Sequence, residues 1–108
     1  MTTSVFIAEA SPASPDREDE FNDWYTTTHI PEVRSAIPEV TAVSRYRTWK
    51  ADQDGPARYI AVYEVDGLSA AEAAAKLGAA VPTFTAGPMI TEGEHASVLT
   101  FADSAGAN

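Results

Sequence analysis

The sequence contains no cysteine. That excludes a disulfide framework, zinc–thiolate sites, iron–sulfur clusters and catalytic thiols together. Cationic side chains are scarce as well: 7 Lys and Arg stand against 16 Asp and Glu, a net charge of −9. Binding a phosphate backbone requires clustered cations, so nucleic acid is not an expected partner. No run approaches the ~20 apolar residues of a transmembrane helix. The opening MTTSVFIAEA lacks the basic and long apolar regions of a signal peptide. A soluble, cytoplasmic protein is therefore expected, with no membrane partner. A Gly-rich phosphate loop and a G-x-S-x-G elbow are also missing, so covalent catalysis has no clear nucleophile.

What is present suits a single domain spanning residues 1–108, with 44% hydrophobic residues and four Phe, four Tyr and two Trp to build one modest core. SVFIAEA (4–10) reads as a strand, rich in β-branched and aromatic residues. Pro12 and Pro15 mark a loop, after which Ser14 is placed to cap a helix with Pro15 at its first position and Asp16 and Glu18 in the first turn. Phe21, Trp24, Tyr25 and Thr28 then recur at i, i+3, i+4 and i+7, one apolar helix face. Much of the negative charge lies in DREDEFND (16–23), the solvated side of that helix. Three consecutive β-branched threonines (26–28) and Pro31 predict an end or kink near 28–30, followed by a short helical turn in PEVRSAI.

Residues 40–49 and 57–65 read as antiparallel strands joined by a turn at ADQDGP, with Asp54-Gly55 its tightest signal. Ser69 and Glu72 form a capping box ahead of an Ala-rich helix that Gly78 should stop. Residues 79–93 make an apolar connection broken by Pro and Gly, which either lines a pocket or packs on a partner subunit. Residues 95–101 make a last strand. The order β-α-β-β-α-β is the ferredoxin-like α+β plan with a four-stranded antiparallel sheet. In residues 57–65 both parities are apolar, with Tyr59, Ala61, Tyr63 and Val65 on one side and Ile60 and Val62 on the other. A sheet with helices on one face and an apolar second face points to sheet-to-sheet homodimerisation.

EFNDWYTTTHIPEV (20–33), with a second IPEV leading into a strand that carries RYR, resembles the EthD-like branch of the dimeric α+β barrel superfamily. The resemblance implies a dimer whose sheets face each other and a pocket between sheet and helices in each subunit. Relatives include muconolactone-type isomerases, cofactor-free monooxygenases, polyketide cyclases and haem-binding enzymes. The family's helix-end histidine maps onto His29 and its aromatic partners onto Trp24 and Tyr25. Many relatives carry an acidic residue just before that histidine, where this chain has Thr28.

His29 follows Tyr25 by four residues, which turns it toward the apolar face. It is either a histidine capping a helix C-terminus or an acid/base at a pocket rim. Tyr46 and Tyr63 sit on neighbouring strands, where each is either a core aromatic or a phenol that binds an enolate oxygen. Arg45 and Arg47 fit salt bridges or a substrate carboxylate. Phe21, Trp24, Tyr25, Phe84 and His95 are the candidate substrate contacts. Two histidines without H-x-x-x-H spacing do not suggest a metal, and no cofactor is expected.

The expected activity is a cofactor-independent proton transfer on a hydrophobic, oxygenated small molecule: cyclisation, isomerisation or dehydration of a polyketide-like or aromatic compound. In it His29 is the acid/base, with Tyr46 or Tyr63 at the enolate oxygen. The alternatives are a cofactor-free or haem-dependent monooxygenase on the same fold, and a non-catalytic ligand-binding dimer.

Overall fold

A computed structural model describes residues 1–52 and 55–106. Strands β1 (Ser4–Ala10), β2 (Val40–Arg47), β3 (Tyr59–Val65) and β4 (Val98–Asp103) form one antiparallel sheet in the order β2-β3-β1-β4. Helices α1 (Glu18–Trp24), α2 (Ile30–Ala36) and α3 (Ala70–Ala80) cover one face of it. This is the ferredoxin-like arrangement.

Register assigns each strand parity to a face. Val43, Tyr63, Phe6 and Phe101 form one row across the sheet on the helix side. Phe6 stacks on Tyr63 at 4.4 Å between ring centroids, and Phe21 of α1 packs above against Tyr25 and Tyr59. Phe6, Phe21, Tyr63, Val33, Ile37 and Val65 are fully buried and make the centre of the core, with Val43, Tyr59 and Phe101 packed against it half-buried. On the opposite face the rows are Ser44–Val62–Ile7–Thr100 and Tyr46–Ile60–Glu9–Val98. No described element covers them, and Tyr46 is 58% exposed.

Several boundaries depart from the sequence expectations. The first helix neither ends nor breaks at the threonines. It opens into a π-helical turn, Tyr25–His29, in which the Ile30 N–H reaches back to the Tyr25 carbonyl, and then continues as α2. The wider turn tolerates Pro31 at the second position of α2, where a missing N–H costs little. Hydroxyls support the preceding carbonyls: Thr26 donates to Asn22 O (3.0 Å) and Thr27 to Asp23 O (2.7 Å). These are back-bonds that the β-branched residues make within a helix.

Gly78 does not stop α3, which runs to Ala80 and yields to a 3-10 turn, Val81–Thr83, at Pro82. Ser14 precedes a 3-10 turn (Pro15–Arg17), and its hydroxyl bonds Asp16 Oδ1 rather than a backbone N–H. β4 begins at Val98, three residues later than expected, because residues 94–96 form a turn. The Ser69–Glu72 capping box is present with both of its hydrogen bonds. The expected Asp54-Gly55 turn lies partly outside the described residues; Gly55 itself has φ +89°, the left-handed region that favours glycine. Among the described residues no helix is long and apolar enough to cross a membrane.

Candidate functional site

A cavity of about 360 Å³ opens between the sheet, the first helical run and the segment 81–91. The sheet contributes Phe6, Ala8 and Tyr63, the helices contribute Trp24, Tyr25, His29, Val33 and Leu77, and the connection contributes Phe84, Gly87 and Met89. Most of the lining is apolar, as in a site built for a hydrophobic ligand with a few placed polar groups.

The π turn sets His29 in this wall. Its imidazole stacks on Trp24 (centroids 4.9 Å apart, planes at 27°) and meets Tyr25 and Phe84 edge-on at 4.8 and 5.6 Å. Nδ1 is buried and has no hydrogen-bond partner among the described residues. The helix continues to Ala36, so His29 does not cap a helix end. Burial holds its pKa below the ordinary histidine value; Glu32 opposes that shift and Arg45 adds to it. The ring is therefore neutral near pH 7, able to accept a proton.

Beside the histidine lies a pair of buried phenols. The Tyr25 and Tyr63 hydroxyls are 3.0 Å apart. One donates to the other, which leaves the acceptor's own proton free for a further bond. Burial raises both pKa values, so both stay protonated. Beneath them Arg45 lies over the Tyr25 ring at 4.4 Å and donates to Asn22 Oδ1 at 2.9 Å. Among the described residues it has no carboxylate partner, whereas Arg47 is paired with Glu18 at 2.8 Å.

The structure thus brings His29, Trp24, Tyr25, Tyr63 and Phe84 together at one cavity. Phe21 is fully buried beneath them and does not line it. Tyr46 corrects the sequence reading: strand alternation puts it on the uncovered face, on the far side of the sheet from His29. His95 also lies elsewhere, 3.4 Å from Glu94 in a second cleft of about 460 Å³ with Glu18, Arg47 and Arg58. That cleft is larger, but its two arginines are satisfied internally: Arg47 by Glu18, and Arg58 by the carbonyls of His95 and Ala96. Gly87 and Glu32 were not singled out from the sequence; each acts through residues more than fifty positions away. Among the described residues no cluster of His, Asp and Glu could hold a metal ion.

No family model and no curated protein sequence matches the chain. Solved structures do. A dimeric ferredoxin-like protein from an uncultured marine organism superposes with a TM-score of 0.60 at 14% identity, covering 100% of both chains. HapK from Hahella chejuensis does so at 0.59 and 15%, covering 97% of this chain and 95% of that one. The chain has the ferredoxin-like fold. An EthD-like protein from Ralstonia eutropha shares it at a TM-score of 0.50 and 12% identity, over 100% of this chain and 97% of that one. These structural neighbours share the fold that the EthD-like resemblance implies. At such identities the ferredoxin-like fold is what the likeness establishes; it fixes neither an activity nor an oligomeric state.

Proposed function

We propose that this protein is a homodimeric, cofactor-independent enzyme that moves a proton within a hydrophobic, oxygenated small molecule, in a cyclisation, isomerisation or dehydration. The observation that carries the reading is an imidazole, its Nδ1 buried without a partner among the described residues, set in an apolar cavity that also holds a buried pair of phenols. His29 takes a proton from a carbon next to a carbonyl. The electron pair moves onto the carbonyl oxygen, and the free hydroxyl proton of the Tyr25–Tyr63 pair hydrogen-bonds the resulting enolate. The imidazolium then returns its proton to another carbon, or to a departing hydroxyl that leaves as water. The dry wall strengthens each of these interactions relative to water. The uncovered apolar face, and relatives described as dimeric, support pairing of two sheets.

The test needs no knowledge of the natural substrate. In D₂O, the exchange of the α-protons of 2-tetralone, an enolisable bicyclic ketone, reports proton abstraction directly by NMR. Exchange should exceed the buffer rate and persist without dioxygen, and His29→Ala should slow it by ~10²–10⁴. Tyr63→Phe should slow it less, since Tyr25 remains. Exchange at the buffer rate, or an unaffected His29→Ala protein, overturns the proposal.

A further inference from the structure

The wall that faces His29 from residues 84–91 lies outside the helices and the four strands, so something else must hold it. Its far half is pinned by backbone pairing: Ala13 N donates to Pro88 O at 2.8 Å and Ile90 N to Ser11 O at 3.0 Å. Its middle is pressed onto the Trp24 ring at Gly87. Its near half, beginning at Phe84, is tied to the helix by one side chain. Glu32 accepts the Thr85 N–H on both carboxylate oxygens (3.0 and 3.2 Å) and the Thr85 hydroxyl at 2.9 Å. Thr85 follows Phe84, whose ring meets the imidazole edge-on.

We propose that Glu32 is the positioning residue of this site: through Thr85 it holds Phe84 against His29 and fixes the near wall of the cavity. The inference rests on the reading of His29 as the proton-transfer group. Glu32 lies one turn beyond His29, and its charge favours the imidazolium that forms when His29 takes a proton. From β2, Arg45 acts in the opposite sense. Tyr25 and Tyr63 face the ring region as neutral hydroxyls, and residues 84–91 carry no charge at all.

Two measurements on the intact protein without substrate test this. One is the NMR titration of His29; the other is amide hydrogen exchange at Thr85. Glu32→Gln keeps an acceptor for the Thr85 N–H but removes the charge. Exchange should stay near wild type while the His29 midpoint falls. Glu32→Ala removes both, so the midpoint should fall and Thr85 exchange should accelerate about fivefold. A midpoint unmoved in Glu32→Gln, or Thr85 exchange unmoved in Glu32→Ala, overturns the proposal. Neither readout depends on turnover. A failed ketone assay therefore leaves these results standing, and failure here leaves the test of His29 intact.

Discussion

Gly87 illustrates how one residue shapes the site by having no side chain. A Cβ at that position would lie 2.1 Å from Trp24 Cδ2 and Cε2, so the glycine permits backbone to lie flat on the indole. Trp24 in turn is the surface on which His29 stacks. Gly87→Ala must push either the indole or the strand of connection outward, and overpacking of this kind typically costs ~1–3 kcal/mol. Urea unfolding should show that loss, with a red-shifted Trp24 emission as the ring gains contact with water. Unchanged stability would mean that the close approach is relieved without strain. The sequence offered Gly87 only as part of an apolar, Gly/Pro-broken stretch; its partner sits 63 positions earlier and belongs to another element.

At the scale of elements, local chemistry and distant packing contribute differently. The capping box of α3 is a purely local device: Ser69 and Glu72 satisfy each other's backbone N–H. Ser69→Ala should destabilise the protein by about 1 kcal/mol, read as a shift in urea midpoint without a change in slope. A shift under a few tenths of that would show that packing alone holds the start of α3. The first helix behaves otherwise. Thr26–Thr28 and Pro31 carry a genuine signal of irregularity, yet that signal specifies neither a stop nor a π turn. Continuation is favoured because Phe21 before the turn, Tyr25 at its start and Val33 beyond it are all buried in the same core. A break would have left one of these groups without a surface to cover. The extra residue in the turn is what brings His29 beside both Trp24 and Phe84.

For the whole molecule, the unexplained surface is the uncovered sheet face. Ile7 and Val62 pair at its centre, flanked by Ile60 and Val98. Dimerisation through this face predicts elution at twice the 11.5 kDa chain mass at micromolar concentration. Val62→Lys places a charge in the middle of the interface and should shift the protein to the single-chain position. Wild-type protein that elutes as a monomer would remove the paired-sheet arrangement. Tyr46 then has an explanation other than catalysis, as an aromatic on the pairing surface rather than a phenol beside His29.

The number, order and approximate extent of the elements were legible in the chain because they depend on near neighbours. Alternation along strands, three- and four-residue spacing along helices, and turn residues between them act within a few positions. His29, Trp24 and Tyr25 could likewise be picked out together, since one stretch of chain carries all three. What remained hidden was every relation between distant segments. Alternation separated Tyr46 from Arg45 but could not say which parity the helices would cover, because neither parity of β2 is purely apolar. The 3.0 Å contact of Tyr25 with Tyr63, the hold of Glu32 on Thr85 and the fit of Gly87 to Trp24 exist only once the sheet register and helix docking bring those residues together. Local propensity acts along the chain, whereas the chemistry of this cavity depends on surfaces that meet across it.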